Sequence, residues 1–115
     1  MEILIKKNEN DKAATVYNMI HGISRKPLKD FDGVVMELDN YIVYRDINSD
    51  GVEFDCVSLR EKDGTIWTTN GATFVREFLA IIEACESCGE SLDAIRIIDG
   101  TSKKGRTFRT CEMVE

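Results

Sequence analysis

One proline, one histidine and one tryptophan occur among the 115 residues, and each scarcity narrows what the chain can do. The single proline, Pro27, falls in a connection, and no repeat or low-complexity segment is present, so the length fits one domain with one core. The lone histidine, His21, lies near the end of a short helix. No nucleophile has a base at a recognisable spacing, and scattered carboxylates such as Asp55 and Glu61 make no dyad. The chain is therefore expected not to be an enzyme. No apolar run approaches the length of a membrane span, so no membrane partner is expected. The opening "MEILIKKNEN" places its lysines after the apolar residues, the reverse of a secretory signal, and the expected compartment is the cytoplasm. A glycine-rich nucleotide loop is also missing, because "DGTSKKG" has neither the spacing nor the following helix of a P-loop.

Four cysteines remain, Cys56, Cys85, Cys88 and Cys111. In the cytoplasm they are expected reduced. "CESCG" is a C-x-x-C at a helix C-terminus, where the helix dipole disfavours the thiolate that redox chemistry needs. Zinc needs four ligands, and Cys56 and Cys111 fall on strands. Cys85 reads as a small core residue and Cys88 as a surface one. "DINSDGVEFDCV" starts like a calcium loop, but its twelfth position is Val57 rather than Glu. A hairpin turn explains the same residues. No cofactor and no metal are expected.

Hydrophobic residues make up 43% and charged residues 31%, the balance of a globular protein. The net charge of -6 argues against indiscriminate nucleic-acid binding. It does not exclude a local basic site, because salt limits the reach of distant acids to about 8–10 Å. Lys103, Lys104, Arg106 and Arg109 crowd into one such stretch, with no acid between them.

The hydrophobic periodicity predicts an N-terminal extension over residues 1–32, made of a short strand at "MEILIKK" and a helix at "DKAATVYNMIHG". In that helix Val16, Met19 and Ile20 share a face, and Asn10 or Asp11 can cap its start. "ISRKPLKDFDG" reads as a connection. From residue 33 the pattern turns to strands. "VVMELDNYIVYRDI" is long enough to bend near Asn40, and "VEFDCVSLRE" and "TIWTTN" follow across hairpin turns. "ATFVREFLAIIEACESCG" is a helix with Phe74, Phe78, Ile81, Ile82 and Cys85 on one stripe, capped by Asn70 or Thr73. "LDAIRIID" and "RTFRTCEMV" are two more strands around the turn "GTSKKG". The order over residues 33–115 is β-β-β-α-β-β, that of a five-stranded OB-fold barrel. An ordinary α+β sheet with the helix across one face is the competing architecture.

An OB-fold holds ligand on the face of its second and third strands, beside the loop joining the fourth and fifth. Here that loop carries Lys103, Lys104 and Arg106, with Arg109 and Phe108 on the strand after it. Val57 and Leu59 read as the core side of the second barrel strand, which leaves Phe54 and Arg60 outward. If Ile66 is inward on the third strand, Trp67 is outward, and Tyr41 or Tyr44 can join from the first. Rings interleaved with cations are what a single strand of nucleic acid requires, one stacking on bases and the other tracking phosphates.

"DGTIWTTNGATFVREF" followed by "IIDGTSKKGRTFRTCEMV" resembles small phage-encoded single-stranded DNA-binding proteins of the replication type. The similarity covers roughly the half of the chain from Cys56 onward. It implies an OB-like domain that coats single-stranded DNA in phage replication or recombination, inside the host cytoplasm. On matching positions it points to Trp67, Lys103, Lys104, Arg106 and Phe108. Its partners would be single-stranded DNA and replication proteins, and a dimer is compatible with it. The chain departs from many such proteins in lacking a long acidic tail after "CEMVE". The rival expectation is a small acidic phage inhibitor that binds a host protein as a nucleic-acid mimic, through Glu37, Asp39, Asp46, Asp50, Glu53 and Asp55. A redox or zinc protein using Cys85 and Cys88 is the third.

Overall fold

The computed structural model describes residues 1–115. It is mainly β with two helices. The strands are β1 (Glu2–Lys6), β2 (Lys26–Pro27), β3 (Val35–Ile47), β4 (Glu53–Glu61), β5 (Ile66–Thr69), β6 (Ala94–Thr101) and β7 (Thr107–Met113). The helices are α1 (Ala13–His21) and α2 (Ala72–Cys88), and a single 3-10 turn covers Leu28–Asp30. Six strands form one mixed sheet in the order β2-β5-β4-β3-β6-β7, while β1 pairs with β3 off that path. The sheet curls into a half-barrel. The five-stranded OB-fold-like barrel expected from the sequence, partly open in that family, is opened further here, because β5 pairs with β2 in parallel instead of meeting β7.

The long strand β3 makes the curl possible. Its N-terminal part, Val35–Glu37, pairs with β6, and the rest pairs with β4. Between them the register shifts at Leu38/Asn40. Met36 and Leu38 face the core before the shift, and Tyr41 and Val43 after it, so one extra residue exchanges the two faces. Asn40 fills the bend although it is fully buried. Its Oδ1 accepts from the Tyr41 amide at 2.8 Å, and its Nδ2 donates to the Asp11 carboxylate at 3.1 and 3.2 Å. That bond removes Asp11 from capping duty: α1 begins after Lys12 with no side-chain cap.

The main core lies between the inner face of the sheet and α2. The predicted stripe of Phe74, Phe78, Ile81, Ile82 and Cys85 is buried there. Phe74 stacks on Phe78 at 6.0 Å, and Tyr41 meets Phe78 edge-on at 5.2 Å. Gly89 ends the helix at φ 66, donating to the carbonyls of Cys85 and Glu86. Val57 and Leu59 join this core, as their alternation predicts.

The outer face of the same strands is also covered. Met19 and Ile20 of α1 pack on Ile42, Tyr44, Cys56 and Ile66 as a second cluster. Burying two such side chains is worth about 3–6 kcal/mol as an upper figure. A nine-residue helix is too short to persist alone, so this docking is what holds α1. The N-terminal extension thus supplies a strand beside β3, a helix on the outer face and, in β2, the strand at the β5 edge.

Candidate nucleic-acid interface

Two edges of the half-barrel, β5 with its parallel partner β2 and the edge strand β7, leave a seam. Arg109 of β7 reaches across it. Its Nη1 donates to the carbonyls of Leu28 at 2.8 Å and of Phe31, and its Nε pairs with Asp99 at 2.9 Å. The sequence assigned Arg109 to phosphate. Here its Nε and Nη1 donors go to a carboxylate and two backbone carbonyls, and the side chain ties the segment after β2 to the last strand.

Along the seam runs a cleft of about 700 Å³. Leu28 and Lys29 stand on one wall, Thr107, Phe108 and Arg109 on the other. The first turn of α2, Ala72 and Thr73, completes it, and neither Asn70 nor Thr73 caps this helix: Gly71 occupies the cap position with no side-chain bond. The amides of that first turn are therefore without a side-chain acceptor, a local excess of positive potential.

Phe108 is the aromatic residue of the cleft, 37% exposed. It pairs across the hairpin with Gly100, and its ring lies over that glycine. A Cβ at position 100 would come within 2.5 Å of the Phe108 Cζ. Glycine there is what leaves room for the end of the ring against the strand.

Beyond Phe108 the β6–β7 hairpin ends in the basic turn. Ser102 organises it: its carbonyl accepts from the Gly105 amide at 2.9 Å, and its Oγ accepts from the Arg106 amide at 3.2 Å. Gly105 sits at φ 80, the left-handed region the turn requires. Lys103, Lys104 and Arg106 are exposed and pair with no carboxylate. In contrast, Lys7, Arg45, Arg60, Arg76, Arg96 and Arg109 each do.

The other candidates lie elsewhere. Trp67 is 8% exposed and belongs to the main core, not to an outer face. Its indole N–H donates to Glu61 at 2.6 Å, and Phe31 meets it edge-on at 5.4 Å. Ile66, its neighbour, is buried in the outer cluster instead, so both residues of the pair are covered. Tyr44 is buried under α1, and burial pushes its phenol up to about 12. Phe54 is half-buried against the same cluster. Arg60 pairs with Asp39 at 2.7 Å. The face of β4 and β5 that an OB-fold offers to ligand is here largely occupied by α1.

Of the acidic residues, Asp39 and Asp55 are held in ion pairs with Arg60 and Arg45. Cys85 is buried and Cys88 exposed, and no group of three His, Cys, Asp or Glu side chains is placed to hold a metal ion. No helix is long and apolar enough to cross a membrane. Sequence reasoning passed over Lys29 and its neighbours Arg25 and Lys26. Three cations in five residues were a visible signal, but only their place beside β5 relates them to the basic hairpin. The chain matches no protein-family model, no curated protein and no solved structure.

Proposed function

We propose that this protein binds single-stranded DNA without strong sequence preference, in phage DNA replication or recombination, and catalyses no reaction. The site is the seam rather than the β4–β5 face. The observation that carries the reading is that a protein of net charge -6 leaves Lys103, Lys104 and Arg106 unpaired beside a cleft holding an exposed ring. Cations take the phosphates, and Phe108 stacks a base. The element order β3-β4-β5-α2-β6-β7 agrees with an OB-like domain whose barrel has been opened, and the resemblance to phage single-strand binding proteins points the same way.

Binding of a thymine oligomer and of a hairpin duplex of equal length, compared by titration, tests this. Single strands should win, because a duplex hides the base faces that Phe108 would need. Replacing Lys103, Lys104 and Arg106 by Ala should flatten the slope of log affinity against log salt by about 2, from about 0.7 per phosphate contact on a single strand. Equal affinity for both nucleic acids would sink the stacking model. A protein indifferent to either would turn attention to its acidic surface and a protein partner.

A further inference from the structure

We infer that Arg25, Lys26 and Lys29 form a second phosphate-binding wall, so that a single strand crosses the seam from the β6–β7 hairpin onto the segment around β2. This rests on the single-strand reading above and extends it to residues that neither motif nor alternation singled out.

Three observations carry it. The first is pairing. Apart from Lys6, Lys12 and Lys62, the cations without a carboxylate partner fall in two short stretches: Lys103, Lys104 and Arg106 on the hairpin beyond Phe108, and Arg25, Lys26 and Lys29 on the segment whose Lys29 lines the cleft. Asp63 lies close enough for Lys26 to help hold its carboxyl below the usual value, after the bonds it accepts from Thr65, and Asp30 and Asp32 follow Lys29 in sequence. None of the three is within ion-pair distance.

The second is that these side chains are positioned. Arg25 donates from Nε to the Gly22 carbonyl at 2.9 Å and from Nη1 to the Tyr44 hydroxyl at 3.4 Å. Lys26 lies over the Trp67 ring, 5.6 Å from its centroid. Both contacts fix a charge without neutralising it, which keeps the charge available to an anion and lowers the entropy lost on binding.

The third is continuity. Leu28 and Lys29 line the cleft, while Arg25 and Pro27 line a shallow hollow of about 450 Å³ on the other side of the segment. The same hollow contains Ile23, wholly exposed, and Thr68. A strand leaving the cleft over Lys29 and Lys26 therefore meets a further cation and an apolar surface for a base. This short ridge of chain between the cleft and the hollow carries three cations in five residues.

The test uses four full-length proteins: wild type, the hairpin triple Lys103→Ala/Lys104→Ala/Arg106→Ala, the ridge triple Arg25→Ala/Lys26→Ala/Lys29→Ala, and a control triple Lys6→Ala/Lys12→Ala/Lys62→Ala. Each is titrated with short and long thymine oligomers over a range of salt. The ridge triple should flatten the salt slope by about 2, additively with the hairpin triple, and should lose the affinity gained by the longer oligomer. The control should leave both nearly unchanged. Because Arg25 also supports the fold, Lys26→Gln/Lys29→Gln is made in parallel and should flatten the slope by about 1.4. A ridge variant that binds like wild type while the hairpin variant fails overturns this inference and spares the proposed function. Ridge and control triples that weaken binding equally also overturn it, since the effect is then general charge. Wild type that binds no oligomer overturns both.

Discussion

The guanidinium of Arg109 donates to the carbonyl oxygen of Leu28 at 2.8 Å across 81 residues of sequence. With its bond to Phe31 it is the side chain that spans the open side of the half-barrel. Arg109→Ala should destabilise the protein by about 2–3 kcal/mol, since charge-assisted bonds are lost and carbonyls are left without a partner. The ion pair to Asp99 adds little, because that carboxylate is largely exposed. Arg109→Lys should recover only part of the loss, as an ammonium lacks the planar fork. Urea unfolding measures this. Unchanged stability with weakened DNA binding would return Arg109 to the phosphate role.

Phe108 and Gly100 make a pair of opposite tests. Phe108→Ala should weaken binding of a single strand by about 1–3 kcal/mol and hardly change stability, since the ring is partly exposed. Gly100→Val should reproduce the binding defect with the ring still present, because a side chain there displaces it. If Gly100→Val binds normally, the Phe108 ring is not the stacking surface.

Trp67 is the sole tryptophan, so its emission reports one site. Buried and bonded to Glu61, it should emit as a shielded indole and respond little when oligonucleotide is added. Trp67→Ala should cost about 3–5 kcal/mol of stability, the range for emptying a core of a large aromatic. Strong quenching by single-stranded DNA, with a stable alanine variant, would contradict this placement.

Alkaline pH should loosen the fold. Burial pushes the Cys111 thiol from 9.0 up to about 12, and the Tyr44 phenol from 10.0 up to about 12. Between these values the unfolded chain has released protons that the folded chain retains. Stability is therefore intact below pH 9 and falls as pH rises towards 12. Cys111→Ala should remove the lower part of that fall. Urea midpoints across this range decide, and a flat profile for the parent protein would refute the assignment.

Most of the architecture was legible because it is local. Hairpin turns, the α2 stripe and the bend near Asn40 each carry their own pattern. What escaped depends on distant parts of the chain. Two residues, one of them Pro27, form β2, and parallel pairing with β5 leaves no trace in a pattern that short. Alternation placed Trp67 outside on the premise that one face of the sheet is wet. Once α1 covers the outer face, Ile66 and Trp67 are both buried and alternation no longer distinguishes them. The basic hairpin was readable as charge, whereas its cleft needed Leu28 and Lys29 brought beside Phe108.

The segment from Lys26 to Phe31 is made early in synthesis, yet its partners Trp67, Thr68 and Arg109 come much later. Closing so long a loop is slow, and the Arg109 contacts that seal it form only when the last strand is in place. The cleft should thus be the final feature to form and the first to be lost. An oligonucleotide held there would act on the far side of the folding barrier, slowing unfolding while leaving refolding at its own rate. Stopped-flow measurements with and without a thymine oligomer separate the two rates. Faster refolding in its presence would mean that the seam is already closed in the transition state.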